Sequence, residues 1–182
     1  QRRRKVTVVH KANVFHVSDG LFLEAVRAVR DEFPDFEYEE QIIDAMAALL
    51  IRDPSQFDVI VTTNMYGDIL SDEASEIAGS LGMAASLNAG DNFAMAQAQH
   101  GSAPSLAGQD QANPSSLIGS AAMLLRWIGE RRDAPQFLAA ADAIEQAITK
   151  AVATASTRTA DLGGPLGTKA FTDGLLAMIK KT

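Results

Sequence analysis

Cysteine is absent from the 182 residues, which excludes a disulfide-stapled scaffold, a thiolate zinc site and a thiol nucleophile. That absence fits a reducing compartment, and the cytoplasm is the expected location. No apolar run reaches the roughly 18 residues a membrane-spanning helix needs, and no charged-then-apolar leader pattern occurs, so neither insertion nor export is indicated. Basic charge is scarce: 16 Lys and Arg stand against 23 Asp and Glu, a net charge of -7. A nucleic-acid surface needs a basic excess on at least one face. The one basic run, Gln1 to Lys5, reads as a solvated terminus or a lead-in to the next strand. Neither a nucleic acid nor a membrane is expected as a partner. A Gly-x-Gly-x-x-Gly run is missing too, so there is no Rossmann fingerprint, and no internal repeat is present.

What the chain does have is 47% hydrophobic residues, enough to bury a sizeable core in an α/β fold. Val6 to His10 is a short β-branched run that reads as a buried strand and delivers Lys11-Ala12-Asn13 at its end. Ser18 and Asp19 offer N-caps for a helix with Phe22, Val26, Val29 and Phe33 on one face, stopped by Pro34. A second extended stretch starts at Phe36. Ile42, Ile43, Met46, Ala47, Leu50 and Ile51 outline a further helix that Asp53-Pro54 ends. Asp58 to Val61 reads as an interior strand, leading through Asn64 into a helix that carries Tyr66 to Asp72. Residues 79 to 113, rich in Gly, Ala, Ser, Asn and Gln, read as loop and short strand. Two helices follow, at about 115 to 128 and 134 to 154, punctuated by Gly129 and Pro135. After the Gly-rich turn Asp161 to Pro165 comes a last helix from about Lys169.

The candidate chemistry is sparse in any single residue. Asp68 and Asp72 are four apart on a helix, so their carboxylates project from one face within reach of one cation; taken alone, such a pair is usually a solvated helix face. Asp44 is a third acid, beside the apolar residues Ile42, Ile43, Ala45 and Met46. Carboxylates without His or Cys suit a hard cation such as Mg²⁺ that keeps water and substrate oxygens. Lys11, ending a buried strand, usually just snorkels to the surface, and a His-Gly-Ser-Ala-Pro stretch is ordinarily a turn with one imidazole.

Taken together, the wording is far more specific. Val9-His10-Lys11-Ala12-Asn13, Ser18-Asp19-Gly20-Leu21-Phe22-Leu23, Asp44-Ala45-Met46 and Asn64-Met65-Tyr66-Gly67-Asp68-Ile69-Leu70-Ser71-Asp72 resemble the isocitrate/isopropylmalate dehydrogenase family in order and spacing. His100-Gly101-Ser102-Ala103-Pro104, Ala107-Gly108, Ala112-Asn113-Pro114 and Asp161-Leu162-Gly163-Gly164 continue the match over nearly the whole chain. The resemblance implies the C-terminal half of that family's two-domain α/β fold. Residues 1 to 80 would belong to the small, dimer-forming domain and 81 to 182 to the large cofactor domain. It implies Lys11 as the catalytic lysine beside the substrate hydroxyl, and Asp68 and Asp72 as ligands of Mg²⁺ or Mn²⁺. Asp44 would be the acid that reaches metal and substrate from the partner subunit, so that Lys11 and Asp44 would meet across an interface. His100, Gly101, Ser102, Ala103, Pro104, Ser105 and Asn113 would form the adenosine loop of a nicotinamide cofactor. The implied reaction is metal-dependent oxidative decarboxylation of a 2-hydroxy acid by a homodimer or higher oligomer.

Departures qualify that match. The family's first half, with its substrate-binding arginines and catalytic tyrosine, has no counterpart here; Tyr38 and Tyr66 sit in other motifs. The chain alone is therefore expected to be inactive, a fragment or one piece of a split enzyme. Where NAD users carry an acid after the loop Pro and NADP users a base, Ser105 stands, which favours NAD only because no Lys or Arg occupies the loop. Gln97 replaces the acid three residues before His100. The Ser18 to Leu23 wording is closer to isocitrate or homoisocitrate enzymes than to isopropylmalate or tartrate ones. The competing reading is a non-catalytic regulatory subunit or pseudoenzyme, against which Lys11, Asp44, Asp68 and Asp72 stand together.

Overall fold

The computed structural model describes residues 4–180; Gln1 to Arg3, the start of the basic run, lie outside the described residues. The chain divides into two compact units, Gln1–Ile77 and Ala78–Thr182.

The first unit runs through β1 (Lys5–His10), α1 (Ser18–Asp31), β2 (Glu37–Ile42), α2 (Ile43–Arg52), β3 (Val59–Thr62) and α3 (Asn64–Ala78). Each strand is followed by a helix that returns the chain to the strands' starting end, so the sheet is parallel, in the order β2-β1-β3. Central β1 buries Thr7, Val8 and Val9, as a strand covered on both faces must. Val9, Met46, Leu50, Phe57 and Leu70 pack together as the core of this unit. Met46 and Leu50 are four apart on α2 and face the core, whereas Ile51, grouped with them in the sequence pattern, is exposed.

Helix α1 departs from expectation in two ways. Its N-cap is Val17, with no side-chain capping bond; the Asp19 carboxylate is instead buried and accepts the backbone N–H of Lys11 at 2.7 Å. Its buried face consists of Asp19 and Leu23, while Val29 and Phe33 are more than half exposed, at 55% and 53%. Val26, Val29 and Phe33 line an apolar groove of about 440 Å³ with Val6, Phe36 and Val61.

The second unit opens with an antiparallel hairpin of β4 (Ala85–Ala89) and β5 (Ala94–Ala98), followed by α4 (Ser115–Arg131), α5 (Pro135–Ala153) and α6 (Thr168–Ile179). Helix α4 packs on both strands and on α5, and α5 packs on α6. A lone hairpin leaves backbone groups unpaired along its edges. Here buried serines of α4 satisfy several of them. Ser120 Oγ donates to the Gln97 carbonyl at 2.7 Å and accepts the Ser86 N–H at 3.0 Å, on residues that face each other across the hairpin. Ser116 Oγ donates to the Ala84 carbonyl and accepts the Gln99 N–H. Gly129 does not end α4 but lies within it: a Cβ there would fall 2.7 Å from the Leu138 side chain, so glycine is what lets α5 approach. Ala147, Ala151, Phe171 and Leu175 form the second core. Among the described residues no helix is long and apolar enough to cross a membrane.

Candidate active site

In the first unit the parallel register assembles the charged groups. His10 lies opposite Ile42, so β1 and β2 end side by side; Lys11 follows one strand and Asp44 enters α2 after the other. Their side chains form an ion pair, Lys11 Nζ to Asp44 Oδ1 at 2.5 Å. The lysine is largely covered and the aspartate open, at 23% and 69% side-chain exposure. The hydrogen bond from Lys11 holds the Asp44 carboxyl below the usual carboxylate range, helped by a backbone hydrogen bond. Adjacent parallel strands thus bring the two residues together within one chain, whereas the family resemblance implies a meeting across a subunit interface.

The backbone that carries Lys11 is pinned on both sides. Its N–H goes to the buried Asp19 carboxylate, and its carbonyl accepts the N–H groups of Val14 and Phe15. Asp19 also faces Tyr66, on the first turn of α3. Burial first, then the Asp19 charge, push the Tyr66 phenol above its ordinary value, while Lys11 pulls the other way. Sequence reasoning missed Asp19 in this role. An acid at a helix start has the same local signature whether it caps the helix or turns inward, and only the Lys11 N–H, eight residues earlier, decides.

Strand β3 ends on the same edge, with Val9 opposite Thr62, and feeds α3, where Asp68 and Asp72 are both exposed. Their oxygens are the donors a hard divalent cation takes. Among the described residues, however, no three Asp, Glu, His or Cys side chains converge as a metal cage. One chain therefore does not bring Asp44 together with Asp68 and Asp72.

The second unit holds a cavity of about 380 Å³ lined by residues that include Ser80, Gly82, His100, Ala103, Asn113 and Asp161. Its size falls within the roughly 300–1,000 Å³ of ligand clefts, and flanking it a second depression is lined by Ser102, Ala107 and Gly108 with others of the same loop. Ala103 sits in the left-handed region, φ 42 and ψ 60, just before the Pro104–Leu106 turn, a conformation that costs a non-glycine residue about 1 kcal/mol. His100 Nδ1 lies 2.8 Å from the Gly101 carbonyl. A carbonyl can only accept, so Nδ1 donates in this contact, and in the neutral ring of that tautomer Nε2 is an acceptor suited to an exocyclic amine. Ser105 is exposed, and its carbonyl accepts from Gln109 Nε2 at 2.5 Å. Asn113 is buried, and both ends of its amide are engaged within the chain: Nδ2 donates to Asp161 and Oδ1 accepts the Ser115 N–H. Its side chain is thus part of the cavity wall.

The architecture is therefore α/β, with a Lys–Asp ion pair at the strand ends of a parallel sheet in one unit and a cavity of ligand-cleft size in the other. A family model described as isocitrate/isopropylmalate dehydrogenase matches residues 1–175, and the chain belongs to this family, whose members are decarboxylating dehydrogenases acting on hydroxy acids. It is 46% identical to the 3-isopropylmalate dehydrogenase of Saccharolobus solfataricus, covering 94% of this chain and 51% of that protein. It is 45% identical to the homoisocitrate dehydrogenase of Methanocaldococcus jannaschii, covering 98% and 49%. The crystal structure of isocitrate dehydrogenase from Methylococcus capsulatus superposes with a TM-score of 0.89 at 40% identity, over 98% of this chain and 51% of that one. The chain spans about half the length of the curated relatives it matches.

Proposed function

We propose that the full-length protein oxidatively decarboxylates isocitrate or a close analogue, homoisocitrate being next and 3-isopropylmalate or tartrate/malate the alternatives. Electrons would pass to NAD in the presence of Mg²⁺ or Mn²⁺, in the cytoplasm. The observation that carries this reading is the Lys11–Asp44 ion pair at the sheet edge that also feeds the Asp68 and Asp72 helix. When bound, the ion supplies Lewis acidity at the substrate's hydroxyl and carboxyl oxygens, and the dinucleotide supplies the hydride acceptor. Asp68 and Asp72 would hold the ion, as exposed carboxylates one helical turn apart. Lys11 Nζ would hold and move a proton at the substrate hydroxyl, with Asp44 Oδ1 as its hydrogen-bond partner.

Since the ion pair forms within one chain and Asp44 does not join Asp68 and Asp72 there, a complete site takes Lys11 and Asp44 from one copy and Asp68 and Asp72 from a second. The first unit is then the dimer-forming part. The second unit is the cofactor part, with His100 to Ser105 and the Asn113 backbone receiving the adenosine. Among the described residues lining this cavity none is Lys or Arg, so nothing on its wall neutralises a 2′-phosphate, which favours NAD over NADP.

The test is initial rates of the full-length protein with each hydroxy acid, with NAD or NADP, over a titration of Mg²⁺. Asp68→Asn and Asp72→Asn should each raise the Mg²⁺ requirement by about tenfold or more, an amide being a poorer ligand than a carboxylate. Unchanged metal dependence in both variants sinks the metal assignment, and no turnover of any hydroxy acid leaves the regulatory-subunit alternative standing.

A further inference from the structure

The geometry assigns Asp161 as a positioning residue for the nucleotide cavity: one carboxylate oxygen ties together three separate loops that make its wall. The inference rests on the second unit being the dinucleotide site. Asp161 lies in the short turn Ala160–Leu162. Its Oδ2 accepts Ser80 Oγ at 2.5 Å and Asn113 Nδ2 at 2.9 Å. Both struts continue into backbone. Ser80 Oγ accepts the Gly82 N–H at 3.1 Å, and Asn113 Oδ1 accepts the Ser115 N–H at 2.9 Å, where α4 begins. Gly82 is close against the junction: a Cβ there would fall 2.8 Å from Asn113 Cβ and 3.1 Å from Asp161 Oδ2. Ser80, Gly82, Asn113 and Asp161 all line the cavity.

Chain distance makes the arrangement informative. Asp161 is 81 residues from Ser80 and 48 from Asn113, so no local turn requires the contact. Although partial burial pushes the Asp161 carboxyl up, hydrogen bonds from Ser80 and Asn113, among others, hold it below its ordinary value, so it stays an acceptor at neutral pH. A second latch from the same stretch of chain works in the same sense. Thr168 N donates to the Asp110 carbonyl, and the Asp110 carboxylate accepts the Lys169 N–H at the start of α6. The loop from Asp110 to Asn113 is therefore held at both ends by segments around Asp161 and Thr168. A loop fixed before binding loses less freedom on binding, which favours affinity without any added ligand contact.

The test uses the full-length protein and reads dinucleotide affinity by calorimetry, steady-state parameters, and amide exchange in the nucleotide-free state. Asp161→Ala should weaken NAD binding by about tenfold and raise KM for NAD in proportion. Its kcat, KM for the hydroxy acid and Mg²⁺ requirement should stay within about twofold of wild type. Exchange in segments 80–83 and 110–115 should speed up before any ligand is added. Asp161→Asn keeps a carbonyl oxygen and should recover affinity to within about threefold. Asp161→Ala and Asn113→Ala should combine to less than the sum of their separate effects, because they share the Asp161–Asn113 connection while each also cuts one of its own, to Ser80 and to the Ser115 N–H. Should Asp161→Ala not fold, Ser80→Ala carries the test, with an expected loss of about threefold. A folded Asp161→Ala, or Ser80→Ala, with wild-type NAD affinity overturns the assignment. So does an Asp161→Asn as impaired as Asp161→Ala, since that marks a charge acting on the ligand. Wild-type protein that binds no dinucleotide overturns the underlying reading of the cavity.

Discussion

The two units build their sites by different means. In the first, the chemistry-bearing groups are charged side chains on regular elements: Lys11 at a strand end, Asp44 on the first turn of α2, Asp68 and Asp72 a turn apart on α3. In the second, the cavity is made by loops, and its framework consists of one hydroxyl, one amide and one carboxylate, with hydrogen bonds from Ser80 Oγ, Asn113 Nδ2 and the Ser115 N–H. A proton or a cation must be met by charge at a fixed point, and strand ends and helices fix it cheaply. A neutral base and sugar are met by backbone groups, which loops present and distant hydrogen bonds must hold still.

Complementation tests the first unit most severely. If Lys11 and Asp44 travel together on one chain and meet Asp68 and Asp72 of another, a Lys11→Met chain mixed with an Asp68→Asn chain forms dimers with one intact site. Random exchange makes about half of the dimers mixed, so activity should recover to about a quarter of wild type if the sites act independently. The mixture of Lys11→Met with Asp44→Asn should stay dead, because each site then receives one damaged member of the pair. Recovery in the second mixture and none in the first, with subunit exchange verified by native mass spectrometry, reverses the assignment.

A glycine variant probes the second unit. Gly167 has an ordinary backbone conformation, φ -80, but a Cβ there would lie 2.5 Å from the Asp110 carbonyl oxygen. Gly167→Ala must therefore push the Asp110 loop from the start of α6, which should cost about 1–3 kcal/mol, as overpacking does. A melting temperature lowered by about 5 °C or more, together with weaker NAD binding, is the expected outcome. A wild-type melting curve would show that the loop shifts freely.

The same contrast accounts for what the sequence made legible. Lys11, Asp68 and Asp72 could be placed because the elements that carry them show in local patterns: a β-branched run, then a turn, then spacing of four. The pairing of Lys11 with Asp44 follows from the parallel register of β1 and β2, which local patterns do not encode. Periodicity located α1 but assigned its core face to Phe22, Val26, Val29 and Phe33, whereas the residues buried are Asp19 and Leu23. In the second unit the helices α4, α5 and α6 were readable within a few residues. The loop framework was not, because Asp161 and Asn113 are partners at a separation of 48 residues and an Asn-Pro pair looks like any turn.

The smallest effect concerns pH and again separates the units. On β2, Glu40 receives both Nε and Nη2 of Arg27, at 2.7 and 2.6 Å, and the Tyr38 hydroxyl at 2.8 Å. On the second unit's surface, Arg126 reaches Asp142 and Glu145 through the single nitrogen Nη2. The two-pronged arrangement should matter more, since it fixes both charged groups in one plane. The hydrogen bonds from Arg27 bring the Glu40 carboxyl down from 4.5 to about 2, against the opposing effect of burial, with Tyr38 assisting. Because the folded value lies below the unfolded one, the unfolded chain takes up the proton first as pH falls. The stabilisation is thus fully present above about pH 4.5 and is lost between there and about pH 2. With a quarter of the side chain exposed, the gain should be no more than about 1 kcal/mol. Glu40→Gln should lower stability at pH 7 by about that amount and flatten the fall in first-unit stability over this window, as followed by urea unfolding at each pH. The slopes of wild type and Glu40→Gln should converge at high salt, where exposed pairs are screened; equal slopes at low salt would show that the pair contributes nothing to the first unit.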